Sequence, residues 1–257
     1  MRLFQIYFSP TGGTKKVLDL ISKNWDYEKI EIDLSDPTRD DSNDRIGKED
    51  LCVVAVPVFG GRAPQVALSN IQRLNGNGAR TILIAVYGNR AYEDALLELR
   101  DTMRLAGFCC VAGIAAVAEH SIMRQFGAGR PDFEDEEQFA AFSKKIKEVM
   151  SYTGCRMELN VPGNYPYKEY KAIPMILETD QGCIKCGLCA EKCPAEAIPK
   201  ENPVLTEQGK CISCMRCVAI CPEKARHADA SMIGALSKRL EKVCSGRKGN
   251  ELFLAKA

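Results

Sequence analysis

Short apolar runs alternate with amphipathic segments along the first 150 residues of the chain. The apolar runs have the length and composition of strands buried on both faces, and the segments between them repeat apolar residues at helical spacing. Strands are predicted at 3–8, 29–34, 51–56, 81–87 and 109–117, and helices at 15–23, 65–74, 93–105 and 134–150. This alternation predicts an α/β fold, a doubly wound five-stranded parallel sheet.

Three loops that follow predicted strands are distinctive, and they span 9–14, 57–62 and 87–92. In open α/β sheets, ligands bind outside the carboxyl ends of the strands, at the point where the strand order reverses. We therefore expect the three loops to converge on one ligand site.

The first loop predicts a phosphate site. It joins a strand to a helix and reads Ser9-Pro10-Thr11-Gly12-Gly13-Thr14. Backbone N–H groups and hydroxyls at a helix N-terminus bind phosphate without a cation. The candidate residues are Ser9, Thr11, Gly12, Gly13 and Thr14. Neither of the better-known nucleotide loops, G-x-G-x-x-G and G-x-x-x-x-G-K-[ST], is present. The alternative is a plain strand–helix turn with a Ser or Thr cap.

The other two loops predict contacts with a flat ring. Glycines would let the backbone approach the ring, and Phe59 and Tyr92 would stack on it. The candidate residues of these loops are Pro57, Val58, Phe59, Gly60, Gly61, Tyr87, Gly88, Asn89, Arg90 and Tyr92.

Two copies of one cysteine pattern lie further along the chain. Each copy reads C-x2-C-x2-C-x3-C-P, and the copies are 28 residues apart. In this bacterial-type ferredoxin spacing, three thiolates of one copy bind one [4Fe–4S] cluster and the fourth binds the other cluster. The predicted ligand sets are Cys183, Cys186, Cys189 and Cys221 for the first cluster, and Cys211, Cys214, Cys217 and Cys193 for the second. A zinc site and a disulfide framework are the competing interpretations, but zinc sites usually need only two C-x2-C pairs.

The first 150 residues resemble the flavodoxins. The phosphate loop of flavodoxins reads [ST]-x-T-G-x-T at the same place, and their three loops bind the FMN phosphate and both edges of the isoalloxazine. The chain departs from the pattern in its middle loop, where Phe59 stands in place of the usual Trp and the only Trp is Trp25. Arg62 and Arg90 would either stabilise an anionic reduced flavin or pair with surface carboxylates.

Nearly the whole chain resembles the flavodoxin–ferredoxin fusion proteins of anaerobic microorganisms. The resemblance implies one FMN and two [4Fe–4S] clusters. It also implies a flavodoxin-like FMN-binding domain over 1–150 and a small α+β ferredoxin domain over 181–226.

The segments outside these two domains are expected to connect and cover them. A linker is predicted at 151–180, where Tyr165-Pro166-Tyr167 and Ile173-Pro174 prevent a continuous helix. Its aromatic residues either dock the two domains or cap a loop. The remainder, 227–257, is predicted to form a helix over 228–243 and a tail. That helix would close over the ferredoxin domain or the domain interface. The two histidines, His120 and His227, belong to no motif and are interpreted as structural or exposed.

Composition excludes some partners. Lys and Arg total 35 against 34 Asp and Glu, so no basic surplus indicates nucleic acid. No apolar run reaches the roughly 18 residues of a membrane helix, and the N-terminus has no signal-peptide pattern. We expect a reducing cytoplasm, which suits thiolate ligands.

The cysteines outside the repeat are predicted to be buried free thiols, and they are Cys52, Cys109, Cys110, Cys155 and Cys244.

The predicted function is electron transfer between the clusters and FMN, and to or from an unidentified external redox protein. The main alternative is a flavin-dependent reductase of a small substrate, with Arg62, Asn89 and Arg90 as substrate contacts and the clusters as electron supply. A redox or oxygen sensor is a further alternative, but no DNA-binding motif supports such an output. The oligomeric state and the direction of electron flow are not readable from the sequence.

Overall fold

The five predicted strands form a parallel sheet in the computed structural model, which describes residues 1–40, 45–152, 158–170, 175 and 177–256. The strands are β1 (Arg2–Tyr7), β2 (Glu28–Asp33), β3 (Leu51–Pro57), β4 (Arg80–Tyr87) and β5 (Cys109–Val117). Their spatial order is β2-β1-β3-β4-β5, which is the flavodoxin-like doubly wound order. The strand order reverses at β1 and β3, so the loops after these two strands border the crevice in which such sheets bind ligands.

Helices cover both faces of this sheet. They are α1 (Gly13–Ser22), α2 (Gln65–Gln72), α3 (Ala95–Leu105) and α4 (Phe133–Tyr152). Side chains of α1 and α4, including Leu18 and Phe139, form one core with the sheet. Side chains of α2 and α3, including Ile71 and Leu99, form the opposite core, which we call the α2/α3 core. Burial on both faces explains why the strands are nearly continuous apolar runs.

A further strand, β8 (Glu251–Leu254), lies at the edge of the sheet and was not predicted. It pairs antiparallel with β5, with Ala112 opposite Leu254, so the sheet of the described residues has six strands. Two hydrogen bonds of the Asn250 side chain hold the tail, one donated and one accepted. The Nδ2 of Asn250 donates to Asp135 Oδ1 over 2.8 Å, and its Oδ1 accepts from the Val117 amide over 2.9 Å. The chain end therefore returns to the first domain after passing through the cysteine repeat.

The cysteine repeat folds as a small unit over residues 177–228, which we call the cluster unit. It contains β6 (Leu177–Thr179), α5 (Leu188–Glu191), α6 (Arg216–Ala219) and β7 (Arg226–Ala228). The two short strands pair antiparallel. The repeat is also visible in the backbone, because residues 185, 187 and 196 have positive φ angles and so do residues 213, 215 and 224, each 28 positions later. The two halves of the cluster unit thus share one local conformation.

The predicted terminal helix is confirmed as α7 (Ala230–Cys244). Asp229 caps it, since its carboxylate accepts from the Ser231 and Met232 amides. Met232 and Ile233 pack against the core of the cluster unit. Leu240 and Cys244 pack against Met123 and Phe126 of the first domain. This helix therefore bridges the two parts of the chain.

Two aromatic residues of the predicted linker, Tyr165 and Tyr167, dock on α3. The hydroxyls of Tyr165 and Tyr167 both donate to Asp101. Tyr167 also lies under the Arg62 guanidinium, 5.0 Å from carbon to ring centroid. Ile173-Pro174 lies outside the described residues. The proposed domain limits at 150, 180 and 226 stay predictions.

The cysteines outside the repeat differ from one another. Cys52, Cys110 and Cys244 are buried free thiols, as predicted. For Cys109 the prediction is wrong, because this residue is disulfide-bonded. Cys155 lies outside the described residues.

Candidate functional site

A cavity opens at the carboxyl ends of the parallel strands, and we call it the loop cavity. Its walls come from all three predicted loops, from the segment after β5 and from the cluster unit. It encloses about 840 Å³, including open solvent at its mouth. The expected convergence of the three loops therefore occurs at the edge of the sheet where doubly wound folds bind ligands.

The first loop presents a helix N-terminus to this cavity. Thr11, Gly13 and Thr14 line it. Gly12 precedes α1 with φ 88°, and a Cβ built on Gly12 or Gly13 would meet no atom within 4 Å. The Gly13 and Thr14 amides at the start of α1 have no partner inside the helix, so they are available to an anion. Ser9 is buried beneath the loop, where its Oγ accepts from the Lys15 amide over 2.9 Å. Ser9 thus holds the loop in shape.

The second loop is a tight turn that presents an aromatic ring. Phe59 and Arg62 exchange both backbone hydrogen bonds, and the two glycines between them have φ angles of 62° and 91°. These angles are typical of a type I′ turn, which favours glycine at both positions. Pro57, Val58, Phe59 and Gly60 line the cavity. Gly61 lies on the far side, where an added Cβ would overlap the Glu93 carboxylate.

The third loop contributes less to the cavity than predicted. Tyr87 and Gly88 line it. Tyr92 instead packs on Tyr87, with ring centroids 5.5 Å apart. Burial raises the pKa of Tyr87 to about 12, and its hydroxyl donates to the Gly249 carbonyl. The predicted stacking of Tyr92 on a ligand ring is not supported by this position.

The polar residues of the third loop face other parts of the chain. Asn89 is 4 % exposed, and its Nδ2 donates to the carbonyls of Cys244 and Gly246 over 2.6 and 2.8 Å. Arg90 pairs with Glu93 over 2.8 Å. Both residues are used to hold the structure together, although the sequence suggested ligand contacts.

Arg62 also points away from the cavity. Its guanidinium forms a two-pronged ion pair with Glu98, which is only 5 % exposed. A third bond goes to the Lys168 carbonyl. Of the two interpretations left open for the loop arginines, pairing with carboxylates is the one observed for both.

A histidine that the sequence did not assign to the site lines the cavity. His120 follows β5, and its Nδ1 accepts from the Ile122 and Met123 amides over 3.1 and 3.2 Å. Its proton therefore resides on Nε2. Burial lowers the pKa of His120 to about 4, with a smaller contribution from Arg90. The only sequence signal was its place after a fifth strand whose carboxyl end meets the same edge of the sheet.

The cluster unit closes one side of the loop cavity. Ile212, Ser213 and Cys214 line it together with Tyr170. Ile212 also packs against the α2/α3 core. The contact is reinforced by Arg216, whose Nη2 donates to the Ser35 Oγ over 2.9 Å and lies 3.7 Å from Asp33.

The cysteines of the repeat surround two further cavities. The first thiol cavity is lined by Cys183, Cys186, Cys189 and Cys221. The second thiol cavity is lined by Cys193, Cys211, Cys214 and Cys217. These are the two crossed sets that the sequence predicted. Within the described residues, no group of three or more His, Cys, Asp or Glu side chains is spaced to hold a single metal ion.

Burial raises the pKa values of two cysteines that line the second thiol cavity. It raises the pKa of Cys214 to about 12 and that of Cys217 to about 11. Buried thiols become thiolates only beside strong positive charge, such as that of iron. Ile212 and Cys214 line both the second thiol cavity and the loop cavity, so the two sites share a wall.

Comparison with known families identifies the repeat. Residues 175–222 match the 4Fe-4S dicluster domain. The iron–sulfur interpretation is therefore confirmed over the zinc and disulfide alternatives. A comparison with curated proteins gives no significant match.

The chain is also similar to solved flavodoxin-like structures. An archaeal flavodoxin is 14% identical, over 58% of this chain and 99% of that one, with a TM-score of 0.39. Rubredoxin oxygen:oxidoreductase from Desulfovibrio gigas is 12% identical, over 58% of this chain and 36% of that one, with a TM-score of 0.42. An NAD(P)H:quinone oxidoreductase from Methanothermobacter marburgensis is 10% identical, over 60% and 98% of the two chains, with a TM-score of 0.38.

The chain thus joins a sheet with flavodoxin-like strand order to a segment that matches the dicluster domain. The predicted resemblance to such a fusion is confirmed, and the prediction of [4Fe–4S] and flavin cofactors agrees with it. Among the described helices, none has the length and apolar character needed to cross a membrane.

Proposed function

We propose that this chain is an electron-transfer protein that relays electrons between two [4Fe–4S] clusters and an FMN, and exchanges them with an external redox protein. One observation carries the proposal. Cys214, a predicted ligand of the second cluster, lines the same cavity as the predicted phosphate loop. A cluster bound at that thiol would therefore lie beside a ligand bound in the loop cavity.

The residues of the loop cavity fit FMN. The open space over Gly12 and Gly13 suits a phosphate, and so do the Gly13 and Thr14 amides at the start of α1. The hydroxyls of Thr11 and Thr14 add donors to the same cradle. Phe59 provides an apolar face for a flat ring, and the turn glycine Gly60 allows close approach of the backbone. Bound FMN would supply a group that accepts two electrons, whereas each cluster passes one at a time.

The thiol cavities support an order for the relay. Cys193, Cys211, Cys214 and Cys217 would hold the cluster nearest the FMN, and Cys183, Cys186, Cys189 and Cys221 would hold the outer cluster. Because each set takes one ligand from the other copy, the two clusters would belong to one rigid unit. Arg216 and Ile212 would keep that unit docked on the first domain.

His120 would act on the cavity as a neutral group. Two backbone amides occupy its Nδ1, which leaves Nε2–H as its donor. The imidazole would thus orient a ligand by donating a hydrogen bond, without adding a charge.

No observation favours the alternative reductase. Its three proposed substrate contacts are engaged elsewhere, Arg62 with Glu98, Asn89 with the C-terminal segment and Arg90 with Glu93. A cytoplasmic location remains part of the proposal, since reducing conditions suit thiolate ligands, although a disulfide such as that of Cys109 is unusual in this compartment.

The cofactor content tests the first part of the proposal. After anaerobic purification we expect about one FMN and about eight irons per chain, from two four-iron clusters. The measurements are flavin extraction, and iron and sulfide analysis. Four irons or fewer in anaerobic material, or no flavin after incubation with FMN, would contradict the assignment.

The relay itself is tested by anaerobic photoreduction with stopped-flow spectroscopy. We expect the cluster absorbance to bleach first and the flavin absorbance to follow in the same molecule. Clusters that reduce while bound flavin stays oxidised would refute the relay.

Thr11→Asp places a negative charge at the exposed rim of the phosphate cradle and should weaken FMN binding at least about tenfold, a cost of about 1.4 kcal/mol. Thr11→Ser is the matched control, and both variants should keep their iron.

A further inference from the structure

The two halves of the cluster unit present the same loop in two different surroundings. The loops read Cys183-Ile184-Lys185-Cys186 and Cys211-Ile212-Ser213-Cys214. Lys185 and Ser213 have φ angles of 55° and 52°, so the two loops share their backbone conformation. We call them the outer loop and the inner loop.

The inner loop is docked on a flavodoxin-like surface. Ile212 packs against the α2/α3 core and lines the loop cavity. Arg216, on the helix after this loop, fastens the contact by donating to Ser35. A flavodoxin-like domain with its strand-end cavity is thus a partner whose shape this loop fits.

The outer loop has the same form and faces solvent. Ile184 is 63 % exposed, and Cys186 is exposed beside it. A partner that covers Ile184 would remove apolar surface from water, which favours association. Both residues line the first thiol cavity, so a partner seated here would lie beside the outer cluster.

From this internal symmetry we infer that the outer loop, Cys183–Cys186, is the docking surface for an external flavodoxin-type electron carrier, which covers Ile184 as the first domain covers Ile212. The inference rests on the proposed function, because it assumes that the outer cluster exchanges electrons with that carrier. A second copy of this chain is a poor partner, since its own inner loop already occupies one side of its loop cavity.

The electron step is a simple exchange. A reduced cluster held by Cys183, Cys186, Cys189 and Cys221 would supply one electron, and the flavin of the external carrier would accept it together with one proton from water. The chain contributes the contact that brings the two groups together.

The test uses the full, cofactor-loaded chain and an FMN-loaded short-chain flavodoxin. The chain is photoreduced and mixed anaerobically with oxidised flavodoxin, whose reduction is followed by its absorbance at several concentrations. Ile184→Ser should lower the second-order rate constant about tenfold, which corresponds to about 1.4 kcal/mol of lost docking. Leu105→Ser is the matched control, because Leu105 is 84 % exposed on α3, and it should leave the rate constant unchanged. Reduction by methyl viologen, which needs no docking, should be equal in all three proteins.

Binding provides an independent readout. Titrating ¹⁵N-labelled flavodoxin with the chain should shift or broaden the amides around its FMN, and Ile184→Ser should weaken these changes about tenfold. The inference is overturned if the wild-type chain neither binds nor reduces flavodoxin, or if Ile184→Ser behaves as the wild type does. The relay is judged separately, by whether the internal flavin is reduced without added flavodoxin. Failure there would leave the binding titration interpretable.

Discussion

At the scale of single residues, the loop cavity depends on a glycine that makes room for a histidine. A Cβ on Gly88 would lie 2.8 Å from the Cβ of His120 and 2.6 Å from its ring. The His120 backbone is also fixed, because its amide donates to the Phe126 carbonyl over 3.0 Å. The absence of a side chain at Gly88 therefore determines where the imidazole sits.

Gly88→Ala should destabilise the fold by about 1–3 kcal/mol, since the added methyl group forces His120 or the loop to move. The midpoint of urea unfolding measures this loss. Gly234→Ala is the matched control, because a Cβ there meets no atom within 4 Å and the residue lies in α7. That control should be unchanged or more stable by about 0.5–1 kcal/mol. Equal effects of the two substitutions would argue against the steric explanation.

The stability of the folded chain should fall as the pH drops below about 6.5, the ordinary pKa of histidine. Burial holds the pKa of His120 at about 4, so at intermediate pH the unfolded chain binds a proton that the folded chain does not. This linkage should cost about 1.4 kcal/mol between pH 8 and pH 5.5.

The measurement is urea unfolding of the wild type, His120→Gln and His227→Gln at both pH values. His120→Gln should lose this component of the pH dependence. His227, whose side chain is 45% exposed, serves as the matched control and its variant should keep the component. An unchanged pH dependence in His120→Gln would disprove the assignment.

At the scale of elements, the C-terminal tail completes the first domain. The buried Asp135 forms an ion pair with Arg130 and accepts a hydrogen bond from Asn250. Arg247 of the same segment bonds to Asp132 over 2.7 Å. These contacts fix the start of β8, and β8 covers the β5 edge that would otherwise expose unpaired backbone groups.

Asn250→Ala should therefore loosen β8. It removes partners from the Val117 amide and from the buried Asp135 carboxylate, at a cost of about 1–3 kcal/mol. Hydrogen exchange should become faster at 112–115 and 251–254, while the cluster unit keeps its protection. Asn202→Ala, at an exposed turn, is the matched control. Uniform loss of protection across the whole chain would indicate general unfolding instead.

At the scale of the whole molecule, the two cofactor regions are held together by contacts from several elements. Helix α7 packs on both parts, and the inner loop closes the loop cavity. Arg216 adds a charged hydrogen-bond donor to Ser35, which is fully buried. In the proposed relay, the distance between the second cluster and the FMN would therefore depend on how firmly the cluster unit is seated.

Arg216→Ala should weaken that seating, since a hydrogen bond from a charged group contributes about 1.5–3 kcal/mol. We expect slower reduction of the internal flavin after photoreduction, with unchanged iron and FMN content. Lys192→Ala is the matched control, because Lys192 is half-exposed and lies 3.8 Å from Asp36. A normal internal rate in Arg216→Ala, with intact clusters, would show that this contact does not set the relay geometry.

Much of this organisation was readable from local patterns. The strands and helices are short-range features, because burial on both faces of the sheet constrains neighbouring residues of each strand. The cysteine spacing is also short-range, because one loop supplies three ligands of a cluster. For the same reason the crossed thiol sets and the positions of Thr11, Gly13 and Phe59 followed from the sequence.

The partners of long, polar side chains were decided only by the tertiary structure. Arg62, Asn89 and Arg90 stand in the predicted loops, yet Glu98, the C-terminal segment and Glu93 satisfy them. His120 joins the cavity because β5 ends beside β4, and β8 pairs with β5 from 130 or more positions away. Only the tertiary structure shows which cysteine set borders the loop cavity, because Cys214 lines both that cavity and the second thiol cavity. Two copies with one spacing are equivalent in sequence, and only the docking of one of them on the sheet makes them different.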